Sequence, residues 1–359
     1  MNNVSFENYL YFPAIRTRVA ELKGFEQLDQ DRKRRLLPIF TLGRWPKAPD
    51  FHRSAEKVAE LMGNLPYLLD LTTDARHLTD HHRELRNPAN SFAAWRSLVT
   101  THPQAIPVVQ IATDTRARDV TKQAQEIERS VGRLAFRIRD FSNETPFVIN
   151  ALSALDDPRN AVVFIDCQYI RNALAAYIAA SVATINQLRA EFPELLICLL
   201  STSFPQSTAS FADATQQRGA IEILERELHS RVGGDAVAIY GDHASVHSVV
   251  YDDAPIMRWA ARIDYPRELN WYFERRPGQQ GGDAYISAAQ GIVTIDPNLG
   301  TRNIWGEEMI KHAAAGEPHA KAPSSWIAVR VNIHIARQLD FSTRLAAGDD
   351  ELDDETISD

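Results

Sequence analysis

The chain has 359 residues, of which 44% are hydrophobic and 24% are charged, a composition typical of a globular protein that buries a large core. Its formal net charge of -8 argues against an extended nucleic-acid-binding surface, and no uncharged apolar run is long enough for a membrane-spanning helix. Cys167 and Cys198 lie in apolar runs and indicate buried thiols in a reducing compartment, so we expect a cytoplasmic protein.

Segments typical of strands alternate with segments typical of helices from the first residues onward. In chain order, the runs that predict strands are YLYFPAIR, RLLPIFTLG, LPYLLDLT, AIPVVQIATD, RLAFRIRDF, AVVFIDCQYI, LLICLLSTSF and DAVAIYGDHASV. The segments between them have apolar residues at helical spacing, as in DFHRSAEKVAELMG, RDVTKQAQEIERSVG and DATQQRGAIEILERELHSRVGG. Alternation of this kind predicts a parallel sheet, and eight units predict closure into an α/β fold of the (β/α)₈ TIM-like barrel type. An open doubly wound sheet is the alternative, although no glycine-rich phosphate-binding fingerprint follows any strand.

The region after Val246 departs from this alternation. RIDYP and NWYFERRP are short and aromatic and predict an inserted hairpin, whereas AYISAAQGIVTI and NIWGEEMIKHAAAGE predict helices. SSWIAVRVNIHIARQLDF predicts the closing C-terminal helix. We therefore expect one barrel domain over residues 1–345, with an irregular insertion over about 247–323, and a disordered acidic tail over 346–359.

The functional side chains of such barrels lie at the C-terminal ends of the strands, and here the predicted strand ends bring acids and arginines together. Arg137 and Arg139 are two residues apart in one strand, so both face the same side. Guanidinium forks suit phosphate or carboxylate groups. The candidate catalytic residues are Asp70, Asp166, Asp242 and His243, and the candidate ligand-binding residues are Arg16, Arg18, Arg137, Arg139 and Tyr240.

Three interpretations of this cluster stay open. It could be a pocket for a phosphorylated ligand, an acid–base site whose aspartates could also hold Mg²⁺, or a layer of ion pairs that fills the barrel without binding anything. Asp242 and His243 are immediate neighbours and would face opposite sides of a strand unless the strand has ended. This geometry weakens their assignment as a catalytic pair.

The stretch RHLTDHHRE contains three histidines near the end of the third predicted strand. His77 and His81 have the spacing that can hold zinc on one face of a helix, but the glutamate that accompanies the first histidine in zinc proteases is missing. We interpret these histidines as a solvated loop cluster and predict no metal site from them.

Three blocks of the sequence resemble the beta protein family. They are YFPAIRTRVAELKGFEQL with LLPIFTLG, the later YGDHASV, and WIAVRVNIHIARQ near the C-terminus. The matching positions are Tyr11, Pro13, Arg16, Pro38, Gly241, Asp242, Trp326, Asn332, His334 and Ile335. The chain departs from the pattern at Thr41, where an acidic residue is expected, and at His243, where an aromatic residue is commoner.

The resemblance implies a biological context and not a reaction. The family is named for a protein of a temperate-phage satellite, and its members occur in mobile genetic elements. We therefore expect an accessory or antitoxin-like component of a phage-defence module that binds a partner protein encoded nearby, a phosphorylated ligand in the barrel mouth, or both. The alternative is a hydrolase or lyase that acts on a phosphate- or carboxylate-bearing substrate with the strand-end aspartates, which could also hold Mg²⁺. We expect no membrane or nucleic-acid partner.

Overall fold

A computed structural model describes residues 4–48, 50–74, 79–206, 211, 215–248 and 260–348. Eight of its strands form one parallel sheet in the order β4-β3-β2-β1-β9-β7-β6-β5. These strands are β1 (Tyr11–Arg16), β2 (Ile39–Leu42), β3 (Tyr67–Leu71), β4 (Ala105–Pro107), β5 (Leu134–Ile138), β6 (Ala161–Tyr169), β7 (Leu196–Thr202) and β9 (Ile239–Asp242).

The two outer strands of this sheet come together. Val108 forms a parallel bridge with Ala135, and the backbone N–H of Val109 donates to the carbonyl of Ala135 at 2.8 Å. The contact brings the end of β4 against β5 and nearly closes the sheet into a barrel. The predicted TIM-like barrel is confirmed, and the open doubly wound alternative is wrong.

Helices connect the strands and cover the outside of the barrel. They are α1 (Val19–Glu26), α2 (Gln30–Arg35), α3 (His52–Met62), α4 (Asp80–Leu85), α5 (Ala93–Thr100), α6 (Ala117–Val131), α7 (Phe141–Leu152), α8 (Leu174–Glu191), α9 (Leu224–Val232), α10 (Gly282–Ile295), α11 (Trp305–Ala314) and α12 (Pro323–Ala346). Within the described ranges, none of them combines the length and the apolar character that a membrane span requires.

The side-chain alternation of the strands divides the barrel interior into two levels. The lower level is apolar and includes Phe12, Ile39, Leu68, Phe164 and Leu200, all of which are buried. Two residues further along several strands, the inward positions become polar. The apolar level excludes water from below, so the polar level is accessible only from the C-terminal ends of the strands.

A second sheet of three antiparallel strands lies in the order β10-β11-β8. The predicted hairpin is confirmed as β10 (Ala261–Pro266) and β11 (Asn270–Arg276). The prediction of one continuous helix over residues 213–234 is wrong, because β8 (Arg218–Glu222) pairs antiparallel with β11 and only α9 is helical. Pairing with a strand far along the chain overrides the local helical spacing.

The C-terminal part of the described chain closes the structure as predicted. α12 packs along α1 and against the hairpin strand β10. Gly24 of α1 permits this close approach, because an added Cβ would lie 2.6 Å from the carbonyl oxygen of Ala328. The predicted insertion over about 247–323 contains the hairpin, α10 and α11, and its residues 249–259 lie outside the described residues. Residues 349–359, which make up most of the predicted acidic tail, also lie outside them.

Candidate functional site

The polar level of the barrel is built around two arginines, in and just after β5, and two aspartates, one on β3 and one on β6. Asp70 of β3, Arg137 of β5 and Asp166 of β6 are buried, and Arg139, which follows β5, keeps 19% of its side chain exposed. We call these four residues the mouth network. The structure brings these four side chains, which the sequence predicted to lie at one mouth, into direct contact.

Asp70 lies between the two arginines. Its Oδ2 accepts hydrogen bonds from Nη1 of Arg137 at 3.1 Å and from Nη2 of Arg139 at 2.5 Å. Its Oδ1 accepts from Nε2 of Gln110 at 3.0 Å and from the backbone N–H of Leu71 at 2.8 Å. Four donors therefore surround one carboxylate, which stabilises its ionised form.

Asp166 joins the same arginine to a histidine. Its Oδ2 accepts from Nε of Arg137 at 2.9 Å and lies 2.9 Å from Nη2 of the same guanidinium, so two guanidinium nitrogens contact one oxygen. Its Oδ1 lies 3.0 Å from Nε2 of His243 and accepts from the backbone N–H of Gln168 at 2.9 Å. The predicted candidate His243 therefore contacts the mouth network directly.

The network keeps both aspartates ionised. Burial by itself raises the pKa of Asp70, but Arg139, Arg137 and Gln110 outweigh burial and lower it below its usual range. Burial acts in the same way on Asp166, where Arg137 and His243 hold the pKa well below the usual range. A carboxylate that stays ionised near neutral pH can orient a histidine or an arginine, but it cannot serve as a general acid.

The aspartates are also not arranged as metal ligands. Asp70 and Asp166 direct their oxygens to guanidinium, amide, imidazole and backbone donors. Among the residues that the structure describes, no three His, Cys, Asp or Glu side chains are grouped to hold a metal ion. The described residues therefore give no support to the Mg²⁺ ion that the enzyme interpretation allowed.

Asp242 and Tyr240 lie outside the mouth. Asp242 is fully buried between the barrel and α12, where it accepts from the hydroxyls of Tyr11 at 2.7 Å and Tyr240 at 3.0 Å. It also accepts from Nε2 of His334 at 2.9 Å. Because β9 alternates its side chains, Asp242 faces the helices whereas His243 faces the mouth, so the geometry does not place Asp242 and Tyr240 with the other candidates.

Asp242 shapes the turn that carries His243. Its Oδ1 accepts from the backbone N–H of Ala244 at 2.7 Å. Ala244 and Ser245 have φ values of 50° and 56°, a left-handed conformation that residues with a Cβ adopt at a cost. Asp242 thus stabilises the strained turn that follows β9 and holds His243 against Asp166.

Arg16 and Arg18 line a separate cavity at the mouth. The cavity has a volume of about 300 Å³ and lies above the ends of β1, β2 and β3. We call it the arginine cavity, since three of its residues are arginines; its lining is Arg16, Thr17, Arg18, Val19, Thr41, Gly43, Arg44, Pro46, Thr72 and Asp74.

Two threonines connect the arginine cavity to its surroundings. The hydroxyl of Thr17 donates to the carbonyl of Gly43 at 3.1 Å and accepts from its N–H at 2.8 Å, which ties the ends of β1 and β2 together. Nη1 of Arg137 donates to Oγ1 of Thr41 at 3.0 Å. The mouth network therefore borders the cavity through Thr41.

Arg16 is held in place by an acid on the first helix. Its Nη2 lies 2.7 Å from Oε1 of Glu21, and its Nη1 donates to the carbonyl of His247 at 3.3 Å. Glu21 is buried and also accepts from the backbone N–H of Arg16 at 2.9 Å. The contact fixes the guanidinium at the edge of the cavity.

Comparisons with known proteins assign the chain to a family. The family model described as Beta protein matches residues 11–340. The chain is similar to "Protein beta" of Enterobacteria phage P4, with 42% identity over 355 residues that cover 99% of each chain. The chain belongs to the Beta protein family.

Several positions that carried the resemblance to the Beta protein family meet between the barrel and α12. Tyr11 and His334 both contact Asp242, and Asn332 bridges two elements by accepting from the N–H of Gly306 at 2.9 Å and donating to the carbonyl of Gly24 at 3.0 Å. These positions hold α12 against the barrel. Arg16 alone among them lines the arginine cavity.

Thr41 and His243, the two departures from the Beta protein family pattern, both lie in the mouth. Thr41 accepts a hydrogen bond from Arg137, and His243 contacts Asp166. An acidic residue at position 41 would give Arg137 a third carboxylate neighbour. Instead, this chain keeps two arginines and two aspartates in the mouth network.

Arg86 is a mouth residue that the sequence reasoning missed. It follows α4, and its Nη2 donates to the carbonyl of Ile111 at 2.8 Å, just beyond Gln110, which bonds Asp70. It lies in a long polar segment without periodicity, so nothing in the sequence pattern distinguished it from a surface arginine.

The interpretation of the histidines as a solvated loop cluster is wrong for His81 and His82, because both lie in α4 and His82 is buried. Nε2 of His82 donates to the carbonyl of Thr72 at 2.8 Å, and Nδ1 of His81 accepts from the N–H of Phe51 at 3.1 Å. These bonds fix the segment after β3. His77 lies outside the described residues.

Proposed function

We propose that the barrel mouth binds a small ligand that carries a phosphate or carboxylate group. The observation that carries this proposal is the arginine cavity, where Arg16, Arg18 and Arg44 come together with one acid, Asp74. Arginine is suited to planar or tetrahedral oxyanions because its fork donates two parallel hydrogen bonds. The cavity volume of about 300 Å³ lies at the lower end of the range for small-molecule sites.

Calorimetric titration of the full chain with propyl phosphate tests this proposal. We expect saturable binding that weakens at high salt, because part of the attraction is between charges near solvent. Arg44→Gln should weaken binding by about tenfold or more, since a charge-assisted hydrogen bond contributes roughly 1.5–3 kcal/mol. Arg34→Gln is the matched control, because Arg34 is exposed on α2 and does not line the cavity. Unsaturable heats in the wild type, or equal affinity in both variants, would refute the site.

We propose that ligand binding serves an accessory or antitoxin-like protein of a phage-defence module. The support for this context is the resemblance to the beta protein family described above. Co-expression with the product of the neighbouring gene tests it, and we expect relief of that product's toxicity and co-purification of the two proteins. Unchanged toxicity and no co-purification would refute the role while leaving the ligand site untouched.

The contact between Asp166 and His243 favours a second function, a hydrolase or lyase. Asp166 stays ionised and can orient His243, whose side chain is 12% exposed at the mouth. A histidine oriented by an ionised carboxylate can act as a general base or acid toward a bound substrate. Turnover of p-nitrophenyl phosphate that His243→Gln abolishes, with unchanged binding of propyl phosphate, would support this function. Absence of turnover in the wild type, with and without Mg²⁺, would contradict it.

A further inference from the structure

A second group of arginine donors lies on the other side of Asp70 from the arginine cavity. Thr72, which lines the cavity, is two residues beyond Asp70 and directly follows β3. On the β4 and β5 side, Asp70 contacts Gln110 and Arg139, and Arg86 bonds the residue after Gln110. The two groups therefore share one mouth and flank the end of β3.

Arg139 is only partly satisfied by its neighbours. Its Nη2 donates to Asp70, whereas its Nε lies 3.7 Å from Asp166, beyond hydrogen-bonding distance. No described residue accepts a hydrogen bond from its Nη1. The partly exposed guanidinium therefore keeps donor capacity at the mouth.

Arg86 is half-buried and has even fewer partners. Its Nε is buried without an acceptor among the described residues, and its one hydrogen bond there is to the carbonyl of Ile111. Burial lowers the pKa of Arg86 below its usual value, and the attraction of Asp70 and Glu144 raises it by too little to restore that value. A guanidinium whose buried Nε has no acceptor, and which has no direct carboxylate partner, would be stabilised by a bound anion.

The acids nearby are already engaged. Asp70 accepts from four donors, as described above, and Oε2 of Glu144 accepts from the backbone N–H groups of Arg139 and Asp140 at 2.6 and 3.0 Å. Glu144 thereby holds the start of α7. An incoming anion would meet the two guanidiniums without displacing a direct ion pair of Arg86.

We propose that Arg86 and Arg139 form a second anion subsite, so that the mouth takes a ligand with two anionic groups, one here and one in the arginine cavity. This inference rests on the proposed function, because the first group must occupy the cavity. Two joined anions bind more tightly than either alone, since binding of the first raises the effective concentration of the second.

The probes are α,ω-alkanediol bisphosphates with two to eight carbons, compared with the corresponding alkyl monophosphates in calorimetric titrations of the full chain. We expect one chain length to bind at least about tenfold more tightly than its monophosphate, with shorter and longer members binding less tightly. Arg86→Gln should remove this advantage and leave the monophosphate affinity unchanged. Arg83→Gln on α4 is the matched control, because Arg83 is exposed and pairs with Asp80.

The outcomes separate the two proposals. Saturable monophosphate binding without a bisphosphate advantage, or an advantage that survives Arg86→Gln, would refute the second subsite and leave the first standing. Absence of binding by every phosphate would refute both. Arg86 contacts a backbone carbonyl and no acid directly, so its replacement should fold, and a circular dichroism melt equal to that of Arg83→Gln checks this.

Discussion

Replacing Asp70 with asparagine removes the negative charge between the buried Arg137 and the partly exposed Arg139. Asp70 lies 3.1 Å from Nη1 of Arg137 and 2.5 Å from Nη2 of Arg139. At an effective dielectric constant near 20, each contact has a Coulomb energy of about 5–7 kcal/mol before desolvation is subtracted. Arg137 keeps Asp166, but Arg139 is left with a carboxylate 3.7 Å away.

We expect Asp70→Asn to lower the free energy of unfolding by about 3–5 kcal/mol, the usual cost of breaking a buried pair from one side. Such a loss is a large part of the roughly 5–15 kcal/mol that stabilises a typical protein. Urea unfolding followed by tryptophan fluorescence measures it, and Trp95 is a suitable reporter because it is buried and donates to the carbonyl of Val108.

Two further variants make the experiment specific. Glu56→Gln removes an exposed partner of Arg53 and should change the free energy of unfolding by less than about 1 kcal/mol. The double variant Asp70→Asn with Arg139→Gln should recover about 1–3 kcal/mol relative to the sum of the single changes, because the two side chains are in contact. A wild-type urea midpoint for Asp70→Asn, or strict additivity in the double variant, would refute the charge network.

Three other outcomes follow from the structure. Folding lowers the pKa values of both network aspartates. The ionised aspartates therefore stabilise the folded state above their unfolded-state pKa near 4, and this stabilisation is lost as the pH falls below it. The urea midpoint should drop between about pH 5 and pH 3. Gly24→Ala should lower the free energy of unfolding by about 1–3 kcal/mol, because the new Cβ would lie 2.6 Å from the carbonyl oxygen of Ala328. Gly282→Ala, whose Cβ would have its nearest neighbour at 3.4 Å, should be close to neutral. Equal urea midpoints for the two variants would contradict this packing. His334→Phe removes one donor from buried Asp242 and should cost about 1.5–3 kcal/mol in the same assay, and an unchanged midpoint would contradict the hydrogen bond.

The barrel was predictable from local patterns. Each barrel strand is an apolar run followed by a segment with helical spacing, so the alternation indicated a parallel sheet. The number of strands, eight, then indicated that this sheet closes into a barrel. β8 was not predictable in this way. Its residues precede an amphipathic helix, and its strand conformation depends on β11, which lies almost fifty residues further along the chain.

The candidate site was predictable where strand alternation decides direction. Arg137, Asp70 and Asp166 face inward as the two-residue period requires, and the same rule separates Asp242 from His243. What could not be predicted is which arginines are satisfied. Local sequence does not show that Arg137 bonds carboxylates of β3 and β6, or that Arg86 bonds a backbone carbonyl.

The claim that the mouth binds oxyanions is tested most directly by locating an oxyanion in it. Crystals of the full chain soaked with tungstate, a heavy tetrahedral analogue of phosphate, reveal bound anions by their anomalous scattering. We predict a peak among Arg16, Arg18 and Arg44, and a second peak beside Arg86 and Arg139. An empty mouth in crystals whose surface arginines bind tungstate would contradict the account.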